Sequence, residues 1–403
     1  MRSLTEHRDH LLADLTPPPV RLVPVGESLG LVLAADVVAV VDLPGFDNSA
    51  MDGYAVRAAD LVGASAASPV SLPVDGDIAA GDTTRHTLAP GRTMRIMTGA
   101  PMPDGADAVV PVEASDGGTE TVELAQAPEV GRHLRSRGED VRAGSVVLRA
   151  GQRIGPGQLA LAAAANVAEV SVHPRPRVAI FSTGDELRAV GSELSFGQIV
   201  DSNGAMLGAL VRAADAELVG LGHLDDNAEA VGVLLGPLPG SPDLVLTTGG
   251  VSMGAYDTVK EVLSGGGVEF VKVAMRPGMP QGSGRVGPDR TPIITLPGNP
   301  VSSLVSFHVF VLPALRRLAG LDPLADGAFV AVAAVDWPSM GGRVDCTRVV
   351  VAPDGLRPSG GQGSHQLGAM AKATALALVP AEVDRVTAGL VLTCLPLLGT
   401  MGA

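Results

Sequence analysis

Apolar runs alternate with helical stretches between about residues 175 and 320. The predicted strands cover 177–182, 217–221, 243–247, 268–274 and 292–296. The predicted helices follow Ser202-Asn203, a good N-capping pair, or cover 227–235, 257–264 and 301–319. This alternation specifies a mostly parallel sheet with helices on both faces, so we predict a doubly wound α/β domain.

The flanking regions carry β patterns instead. From about residue 57 to residue 140, Val-rich and Leu-rich runs are divided by Gly, Pro and Asp, which predicts an inserted all-β domain. From about 328 to 403, runs such as Phe329-Val-Ala-Val-Ala-Ala-Val335 predict a small β-barrel or sandwich. Residues 1–15 predict a short helix that ends before Pro17-Pro18-Pro19, because proline removes backbone donors.

Length and charge narrow the class of protein. A chain of 403 residues exceeds one hydrophobic core, so we expect three or four domains. The net charge of −14 argues against nucleic acid as a partner, which requires clustered Lys and Arg. Local cations and helix N-termini still allow a phosphorylated ligand.

Cysteine usage and hydropathy indicate the compartment. Cys346 and Cys394 are the two cysteines, and no Cys-x-x-Cys occurs, which removes a Cys-based zinc site and a disulfide framework. The charged N-terminus does not resemble a signal peptide, and no window predicts a membrane helix. We therefore expect a soluble, cytoplasmic protein.

One loop near the N-terminus is rich in chemistry-bearing residues. Leu43-Pro-Gly-Phe-Asp-Asn-Ser-Ala-Met-Asp-Gly-Tyr-Ala55 combines Asp, Asn, Ser and Gly with almost no periodicity. The two tyrosines of this aromatic-poor chain, Tyr54 and Tyr256, each lie beside a glycine and a carboxylate, Asp52 and Asp257. This placement suggests sites rather than core.

Three acidic segments follow strands of the predicted α/β domain. They are Ser182-Thr-Gly-Asp-Glu-Leu187, His223-Leu-Asp-Asp226 and Thr247-Thr-Gly-Gly-Val-Ser-Met-Gly-Ala-Tyr-Asp257. Ligands of open parallel sheets bind outside the carboxyl ends of the strands, where all three segments lie. Function is favoured for Asp185 and Glu186, because Gly184 lets backbone amides approach a ligand. For Asp225 and Asp226, helix capping is as good an interpretation as function.

The third acidic segment also carries a glycine-rich turn. Gly249-Gly250 and Gly254 could cradle a phosphate with backbone N–H groups, although the pattern is neither a Walker P-loop nor a Rossmann fingerprint. Carboxylates around such a loop suggest Mg²⁺ held by oxygen ligands and shared with phosphate oxygens.

Cationic residues and turns complete the candidate set. Lys272 and Arg276 end a predicted strand, where they would suit an oxyanion or simply be solvated. Leu296-Pro-Gly-Asn-Pro-Val-Ser-Ser303 is another strand-to-helix turn, with a rigid cap as the alternative interpretation. Arg343, Arg348 and Gly360-Gly-Gln-Gly-Ser-His365 stand out in the last domain, although such turns are usually hairpins. His308, on an apolar helix face, is expected to be structural.

Together these motifs resemble the MoeA-type molybdopterin molybdenumtransferases, the family that includes the E domain of gephyrin. The resemblance covers nearly the whole chain. Its carriers are Pro44-Gly-Phe-Asp-Asn-Ser-Ala-Met-Asp-Gly-Tyr-Ala55, Arg95-Ile-Met-Thr-Gly-Ala-Pro101, Gly138-Glu-Asp140, Phe181-Ser-Thr-Gly-Asp-Glu-Leu187, Thr248-Gly-Gly-Val-Ser-Met-Gly254 with Asp257, Leu296-Pro-Gly-Asn-Pro-Val-Ser302 and Gly361-Gln-Gly-Ser-His365.

The resemblance implies a multidomain α/β protein. A discontinuous N-terminal linker and dimerisation domain would cover 1–45 and 141–175, and an inserted β-rich domain 46–140. A Mog-like molybdopterin-binding domain with a doubly wound mixed or parallel sheet would cover 176–325, and a small β-barrel 326–403. The implied activity is Mg²⁺-dependent insertion of molybdate into adenylyl-molybdopterin with release of AMP, the last step of molybdenum cofactor biosynthesis.

The resemblance also implies a homodimer with the site between subunits. Transient contact with a Mog-type adenylyltransferase or with apo-molybdoenzymes is a further expectation, and no membrane is expected as a partner. The implied catalytic residues are Asp52, Thr98, Asp140, Glu186 and Asp257, of which Asp52, Glu186 and Asp257 would hold Mg²⁺. The implied substrate contacts are Thr183, Gly184, Asp185, Asp225, Asp226, Gly249, Gly250, Ser252, Lys272, Arg276, Pro297, Asn299, Ser302, Arg348 and Ser364.

Two departures and two alternatives accompany this interpretation. Arg276 and Met279 stand where the family often has lysine, which alters the anion contacts. A molybdopterin adenylyltransferase is a second hypothesis, against which the additional N-terminal and C-terminal modules count. A scaffold without chemistry is a third, against which the positions of Asp52, Glu186 and Asp257 count. The sequence does not distinguish molybdate from tungstate.

Overall fold

The computed structural model describes residues 1–250, 258–325 and 327–399. In residues 1–175 the chain forms two helices and a series of short strands. The helices are α1 (Leu4–Ala13) and α2 (Pro156–Ala164). The strands are β1 (Arg21–Pro24), β2 (Val32–Leu33), β3 (Val37–Val38), β4 (Asn48–Ser49), β5 (Gly53–Val56), β6 (Val70–Ile78), β7 (Thr93–Ile96), β8 (Ala108–Pro111), β9 (Thr121–Leu124), β10 (Leu134–Arg135), β11 (Val146–Leu148) and β12 (Glu169–His173).

Early and late strands of this region pair with each other. Strand β12 lies between β1 and β2, and β3 pairs with β11, all antiparallel. The segment between them forms a separate five-stranded sheet in the order β8-β5-β7-β6-β9, as the β pattern of this region predicts. Tyr54 is fully buried in the core of this sheet, where its hydroxyl donates to Gly118 O at 2.9 Å. Tyr54 is therefore a core residue, which corrects the suggestion that it marks a site.

Helix α1 packs elsewhere. A capping box of Ser3 and Glu6 starts it, with Glu6 N donating to Ser3 Oγ at 3.1 Å. Its buried residues Leu4 and Leu11 belong to the main hydrophobic core of the α/β domain, where α1 contacts the end of the long core helix. The first helix therefore packs against the core of the α/β domain.

Residues 176–325 alternate between strands and helices. The strands are β13 (Arg177–Thr183), β14 (Leu187–Arg188), β15 (Ile199–Val200), β16 (Glu217–Leu224), β17 (Leu244–Thr248), β18 (Val268–Lys272), β19 (Met275–Arg276), β20 (Pro280–Val286) and β21 (Thr291–Leu296). The helices are α3 (Ser202–Ala213), α4 (Ala228–Gly232), α5 (Thr258–Gly265), α6 (Pro300–Ser306) and α7 (Leu312–Leu318).

The central sheet runs in the order β16-β13-β17-β21-β20-β18. Its first four strands are parallel, and β20 and β18 are antiparallel additions at one edge. Alternate residues of β17 face opposite layers: Leu244 and Leu246 pack with α3 and α6, whereas Val245 packs with α4 and α5. Helices thus cover both faces, and the doubly wound mixed sheet predicted from the sequence is confirmed.

A continuous helical segment, Pro300–Leu318, runs through the core of this domain. By length and composition it could cross a membrane, but 89% of its most apolar window is buried inside the protein. Within its π-helical turn, Phe307–Val311, the Nδ1 atom of His308 lies 2.9 Å from Leu304 O. The Nε2 atom of His308 accepts from Leu398 N at 3.1 Å, so the structural role predicted for His308 is confirmed.

The described C-terminal residues form a barrel. Its strands are β22 (Phe329–Val332), β23 (Trp337–Pro338), β24 (Val344–Ala352), β25 (Gly355–Pro358), β26 (Ala375–Val379), β27 (Arg385–Val386) and β28 (Val391–Pro396), with one short helix, α8 (Leu367–Met370). The main sheet runs β24-β26-β28-β22, and β25 pairs with the other edge of β24. A bridge between Ala333 and Leu356 joins the end of β22 to β25 and closes the ring, as predicted.

Candidate functional site

A buried polar network ties the carboxyl ends of the parallel strands β17 and β21 to the start of α3. Asn203, near the start of α3, donates through Nδ2 to Thr248 Oγ1 at 2.9 Å and to Gly298 O at 2.7 Å. Thr248 Oγ1 also lies 3.1 Å from Pro297 O, and Ser303 Oγ donates to that same carbonyl. The network holds the turn after β17 against the turn that leads into α6.

The turn after β17, Gly249-Gly250, packs closely against neighbouring residues and leaves no room for side chains. A Cβ at Gly249 would lie 2.4 Å from Thr183 O, and one at Gly250 would lie 2.5 Å from Val259 Cβ. Both glycines have positive φ angles, 98° and 62°, which are costly for other residues. The turn therefore brings bare backbone to the carboxyl edge of the sheet, as a phosphate-binding turn requires.

An acidic group lies at the same edge. The Oδ1 atom of Asp185 accepts from Asp226 N at 2.9 Å, so the loops after β13 and β16 meet. The carboxylate of Glu186 folds back over Gly184, within 2.9 Å of where a Cβ would be. Although Asp226 remains exposed, partial desolvation and then the charges of Asp185 and Glu186 raise its pKa. The structure thus joins Asp185, Glu186 and Asp226 in one group.

Asp225 and Asp226 have different surroundings, which removes an ambiguity of the sequence. The carboxylate of Asp225 lies 3.4 Å from Nε2 of His223. Helix α4 is capped by neither aspartate, because the side chain of Asn227 accepts from Ala230 N at 2.9 Å. Capping is therefore excluded for both, and Asp226 is the member of the pair that faces the acidic group.

A second polar pair lies in the inserted β domain. Asp52 Oδ1 accepts from Thr98 N at 2.6 Å and from Thr98 Oγ1 at 2.8 Å. These bonds, first the backbone one, lower the pKa of Asp52, so its carboxylate is ionised at neutral pH. Asp140 is exposed in a loop, with its backbone N–H on Leu43 O. Among the described contacts, none joins these three residues to Glu186 or Asp185 of the same chain.

Two cations at the mouth of β18 and β19 differ in environment. Lys272 is exposed at the end of its strand. Arg276 is half-buried, with Nη2 3.9 Å from Asp345 Oδ2 of the barrel and Nη1 against the sulfur of Met340. Burial raises the pKa of Asp345, and the charge of Arg276 opposes that shift. Arg276 thus spans the junction between the α/β domain and the barrel.

Met279, where the family resemblance leads us to expect lysine, contacts a cation of the barrel. The Met279 sulfur lies 3.3 Å from Nη1 of Arg343, which comes from the barrel. A guanidinium therefore lies beside the position where the side-chain charge is missing.

The structure assigns Arg348 a role different from the predicted contact with the anion. Arg348 is only 1% exposed, and Nη2 donates to the carbonyls of Gly361 and Gly363 at 2.7 and 3.2 Å. Its Nη1 lies 3.4 Å from Gln366 O. The guanidinium is therefore enclosed by the turn 360–366, because its donors are used on that turn.

The turn around Arg348 is seated on helix α6. The backbone carbonyl of Ser364 accepts from Val301 N at 3.3 Å. Asn299 is the N-cap of α6 without a side-chain hydrogen bond, and Ser302 is buried in the first turn. Pro297, Asn299, Ser302 and Ser364 thus surround one helix N-terminus, a position that favours anions.

Part of the predicted site lies outside the described residues. This is the case for Ser252 and Asp257, and for Tyr256. In the ranges that the structure describes, no group of three or more His, Cys, Asp or Glu side chains could hold a metal ion. The carboxylate oxygens of Asp185, Glu186 and Asp226 are nevertheless the type of donor that Mg²⁺ prefers.

Three family models match this chain in succession along its length. Sequence profiles of the MoeA N-terminal region (domains I and II), a probable molybdopterin binding domain and the MoeA C-terminal region (domain IV) match residues 2–166, 179–317 and 330–397. Molybdopterin molybdenumtransferase 2 of Mycobacterium tuberculosis is 47% identical over 398 residues, which cover 96% of this chain and 98% of the relative.

The chain belongs to the MoeA family. Molybdopterin molybdenumtransferase 1 of the same organism is 35% identical and covers 96% of this chain and 97% of its own length. A solved MoeA structure from Pyrococcus horikosii superposes with a TM-score of 0.85 at 30% identity, covering 98% of this chain and 99% of that one. The family resemblance and the fold class predicted from the motifs are confirmed.

Three residues of this MoeA protein were missed by the sequence reasoning. Asp201, rather than Ser202 or Asn203, is the N-cap of α3, and its side chain accepts from Gly204 N at 2.8 Å. This leaves Asn203 free to form the network under the glycine turn. The remaining one is Gln362, which contacts the backbone at Arg348. A capping preference at 201 was readable in the sequence, whereas the contacts of Asn203 and Gln362 are long-range.

Proposed function

We propose that this MoeA-family protein is a Mg²⁺-dependent molybdenum insertase in molybdenum cofactor biosynthesis. It inserts molybdate into adenylyl-molybdopterin and releases AMP. The observation that carries the proposal is the meeting of a bare glycine turn with Asp185, Glu186 and Asp226 at the carboxyl edge of the central sheet. The relatives named molybdopterin molybdenumtransferase support a role in molybdenum cofactor biosynthesis.

The glycine turn and the N-terminus of α6 bind the phosphates of the nucleotide. Backbone N–H groups at such positions offset negative charge without a side chain. Asn203 supports these phosphate-binding groups through its hydrogen bonds to Thr248 and Gly298. These bonds fix the distance between the turn after β17 and the turn that leads into α6. The cations Lys272 and Arg276 add positive charge at the strand mouth, where molybdate, an oxyanion, needs donors.

The acidic side chains supply the oxygen ligands for the metal. Glu186 and Asp257 of the α/β domain and Asp52 of the inserted domain would hold Mg²⁺, which would supply positive charge to offset that of the phosphates. Thr98 keeps Asp52 ionised through two hydrogen bonds. Asp140 completes the proposed polar set. Asp52 would come from the partner subunit of a homodimer.

Insertion also needs proton transfer. Two thiol sulfurs of the substrate bind molybdenum and displace one oxo ligand, which leaves as water with the two thiol protons. Asp226 is suited to pass a proton between sulfur and oxygen, because partial burial, and then the charges of Asp185 and Glu186, raise its pKa. The sulfurs belong to the substrate, so the buried Cys346 and Cys394 are not needed.

The proposal includes a cytoplasmic location and brief contacts with a Mog-type adenylyltransferase, which would supply the nucleotide, and with apo-molybdoenzymes. A dimeric mass in sedimentation equilibrium would support the homodimer. A monomer with full activity would contradict a site shared between subunits.

The test is AMP release from adenylyl-molybdopterin by the purified protein, with Mg²⁺ or EDTA and with or without molybdate, followed by reconstitution of an apo-molybdoenzyme. We expect release that depends on both ions and is lost in Glu186→Gln. Glu193→Gln, a change of an exposed glutamate a few residues away, is the matched control. AMP release that does not depend on molybdate would refute the proposed insertase activity. A target molybdoenzyme that stays inactive after reconstitution would also refute it.

A further inference from the structure

The turn 360–366 is held to strand β24 by the side chain of Gln362. Its Oε1 accepts from Arg348 N at 3.0 Å, and its Nε2 donates to Arg348 O at 3.2 Å. In an antiparallel strand, the N–H and C=O of one residue point to the same neighbour. Just beyond β25, which ends at Pro358, the amide of Gln362 thus supplies the acceptor for Arg348 N that a strand partner would supply, while Arg348 O also accepts from Ser359 N at 3.0 Å.

The same amide also fixes the turn internally. Gln362 Nε2 donates to Gly360 O at 3.0 Å, and Oε1 lies 3.4 Å from Arg348 Nε. A second glutamine closes the other side, because Gln366 Oε1 accepts from Gly363 N at 3.1 Å. A Cβ at Gly361 would lie 2.2 Å from Gln366 Oε1, so the turn is tightly packed around these amides.

Both amides are uncharged, which matters for the arginine they surround. In the part of the chain that the structure describes, Arg348 forms hydrogen bonds to carbonyl and amide oxygens but no ion pair with a carboxylate. Burial lowers the pKa of Arg348, as expected for a cation without a compensating charge. Its positive charge therefore remains available to attract an anion nearby.

The turn reaches the helix N-terminus through Ser364. The carbonyl of Ser364 takes the N–H of Val301, one of the free donors of the first turn of α6. If the turn were displaced, the N–H of Val301 would lose its acceptor, and the distance between α6 and the guanidinium of Arg348 would change.

We propose that Gln362 is a positioning residue: its neutral amide seats the turn 360–366 on the N-terminus of α6 and thereby sets the affinity of the site for oxyanions. The seating follows from the contacts of Gln362, and the consequence for molybdate rests on the proposed function. Gln362 itself does not touch the reacting atoms.

The test compares the variants Gln362→Met and Gln362→Glu with the native protein. Each protein is used in the oligomeric state in which it is purified. Methionine keeps the length of the side chain and removes its hydrogen bonds. Glutamate keeps the acceptor of Arg348 N and places a negative charge beside the guanidinium. Gln152→Met is the matched control, because its Oε1 accepts one backbone N–H, that of Arg149, at 2.8 Å on an exposed loop.

Hydrogen exchange by mass spectrometry reports the seating, independently of activity. In Gln362→Met we expect faster exchange in peptides covering 299–306 and 360–366 and an unchanged barrel elsewhere. The KM for molybdate should rise by roughly tenfold, the size of one or two net hydrogen bonds, with kcat within about twofold. Gln362→Glu should raise the KM at least as much while it protects the turn better than methionine does.

Unchanged exchange in both peptides of Gln362→Met, relative to Gln152→Met, would overturn the positioning role. Faster exchange with an unchanged KM would overturn the link to oxyanion affinity. If the native protein fails to turn over with molybdate, the proposed function fails, and the exchange comparison still decides whether Gln362 seats the turn.

Discussion

His7 makes the stability of the α/β domain sensitive to acid. The side chain is fully buried between α1 and the core helix, and its ring meets Phe310 edge-on, with centroids 4.9 Å apart. Neither ring nitrogen has a hydrogen-bond partner within the described structure. Burial, and then the charges of Arg2 and His10, lower its pKa from 6.5 to about 4.

The direction of the effect follows from proton linkage. Between about pH 4 and pH 6.5 the unfolded chain binds a proton at this position that the folded chain does not, so stability falls as the pH falls. At about pH 5 the penalty amounts to about 2 kcal/mol, since each pH unit below 6.5 costs about 1.36 kcal/mol. At about pH 7.5 it is close to zero. His308, whose pKa is also about 4, adds a penalty of the same sign.

His7→Leu should therefore be stabilised relative to the native protein by about 2 kcal/mol more at about pH 5 than at about pH 7.5. This double difference cancels the lost contact with Phe310, the two removed unsatisfied nitrogens and the effect of His308. His10→Gln, a change of a half-exposed histidine on the same helix, is the control. It should show a much smaller dependence on pH, because the charge of His10 contributes less to the lowered pKa of His7 than burial and the charge of Arg2 do.

The assay is urea unfolding followed by far-ultraviolet circular dichroism, with hydrogen exchange of the peptide covering 1–15 as the local probe. Fluorescence is unsuitable, because the single tryptophan, Trp337, lies in the barrel. The same stability gain at both pH values would refute the reasoning. It would mean that the protonated ring of His7 reaches a hydrogen-bond acceptor or solvent in the folded protein.

Three further predictions concern the site. Asp226→Asn should lower molybdate-dependent AMP release by about a hundredfold, and Asp225→Asn by less than about threefold; equal effects would contradict the assignment of Asp226. Gly249→Ala should abolish turnover and cost roughly 1–3 kcal/mol in urea unfolding, whereas Gly232→Ala, which meets no atom within 4 Å, should be tolerated. Asn203→Leu should cost about 2–4 kcal/mol in the same experiment, because it leaves buried acceptors unpaired; an unchanged midpoint would exclude the network as a support.

The fold could be predicted because its signals are local. Val-rich and Ile-rich runs bounded by turns gave the central strands to within a few residues, for example 243–247 against Leu244–Thr248. Helix α1 shows the limit of this approach. Its capping box and length were readable, but its place on the α/β domain depends on contacts such as the pairing of Arg2 with Val273, which no local pattern contains.

The site was predictable in residue type more than in geometry. Asp225 and Asp226 are equivalent in a sequence, and only the position of Asp185 separates them. Arg348 shows the same limit, because the family resemblance implies an anion contact, whereas its side chain is buried in the turn. Burial and partner identity are properties of the folded chain.

The charged groups of the candidate site come from several elements. The acidic group lies on the loops after β13 and β16, while Arg343 and Arg348 belong to the barrel. Arg276, which does face a carboxylate across the junction, is 3.9 Å from it, and Asp345 is buried. The carbonyl of Ser364 on the N–H of Val301 is a described bond that joins the cationic turn to the helix N-terminus. Under the proposal for Gln362, the geometry at that contact sets how strongly the charge of Arg348 acts on an oxyanion at the N-terminus of α6.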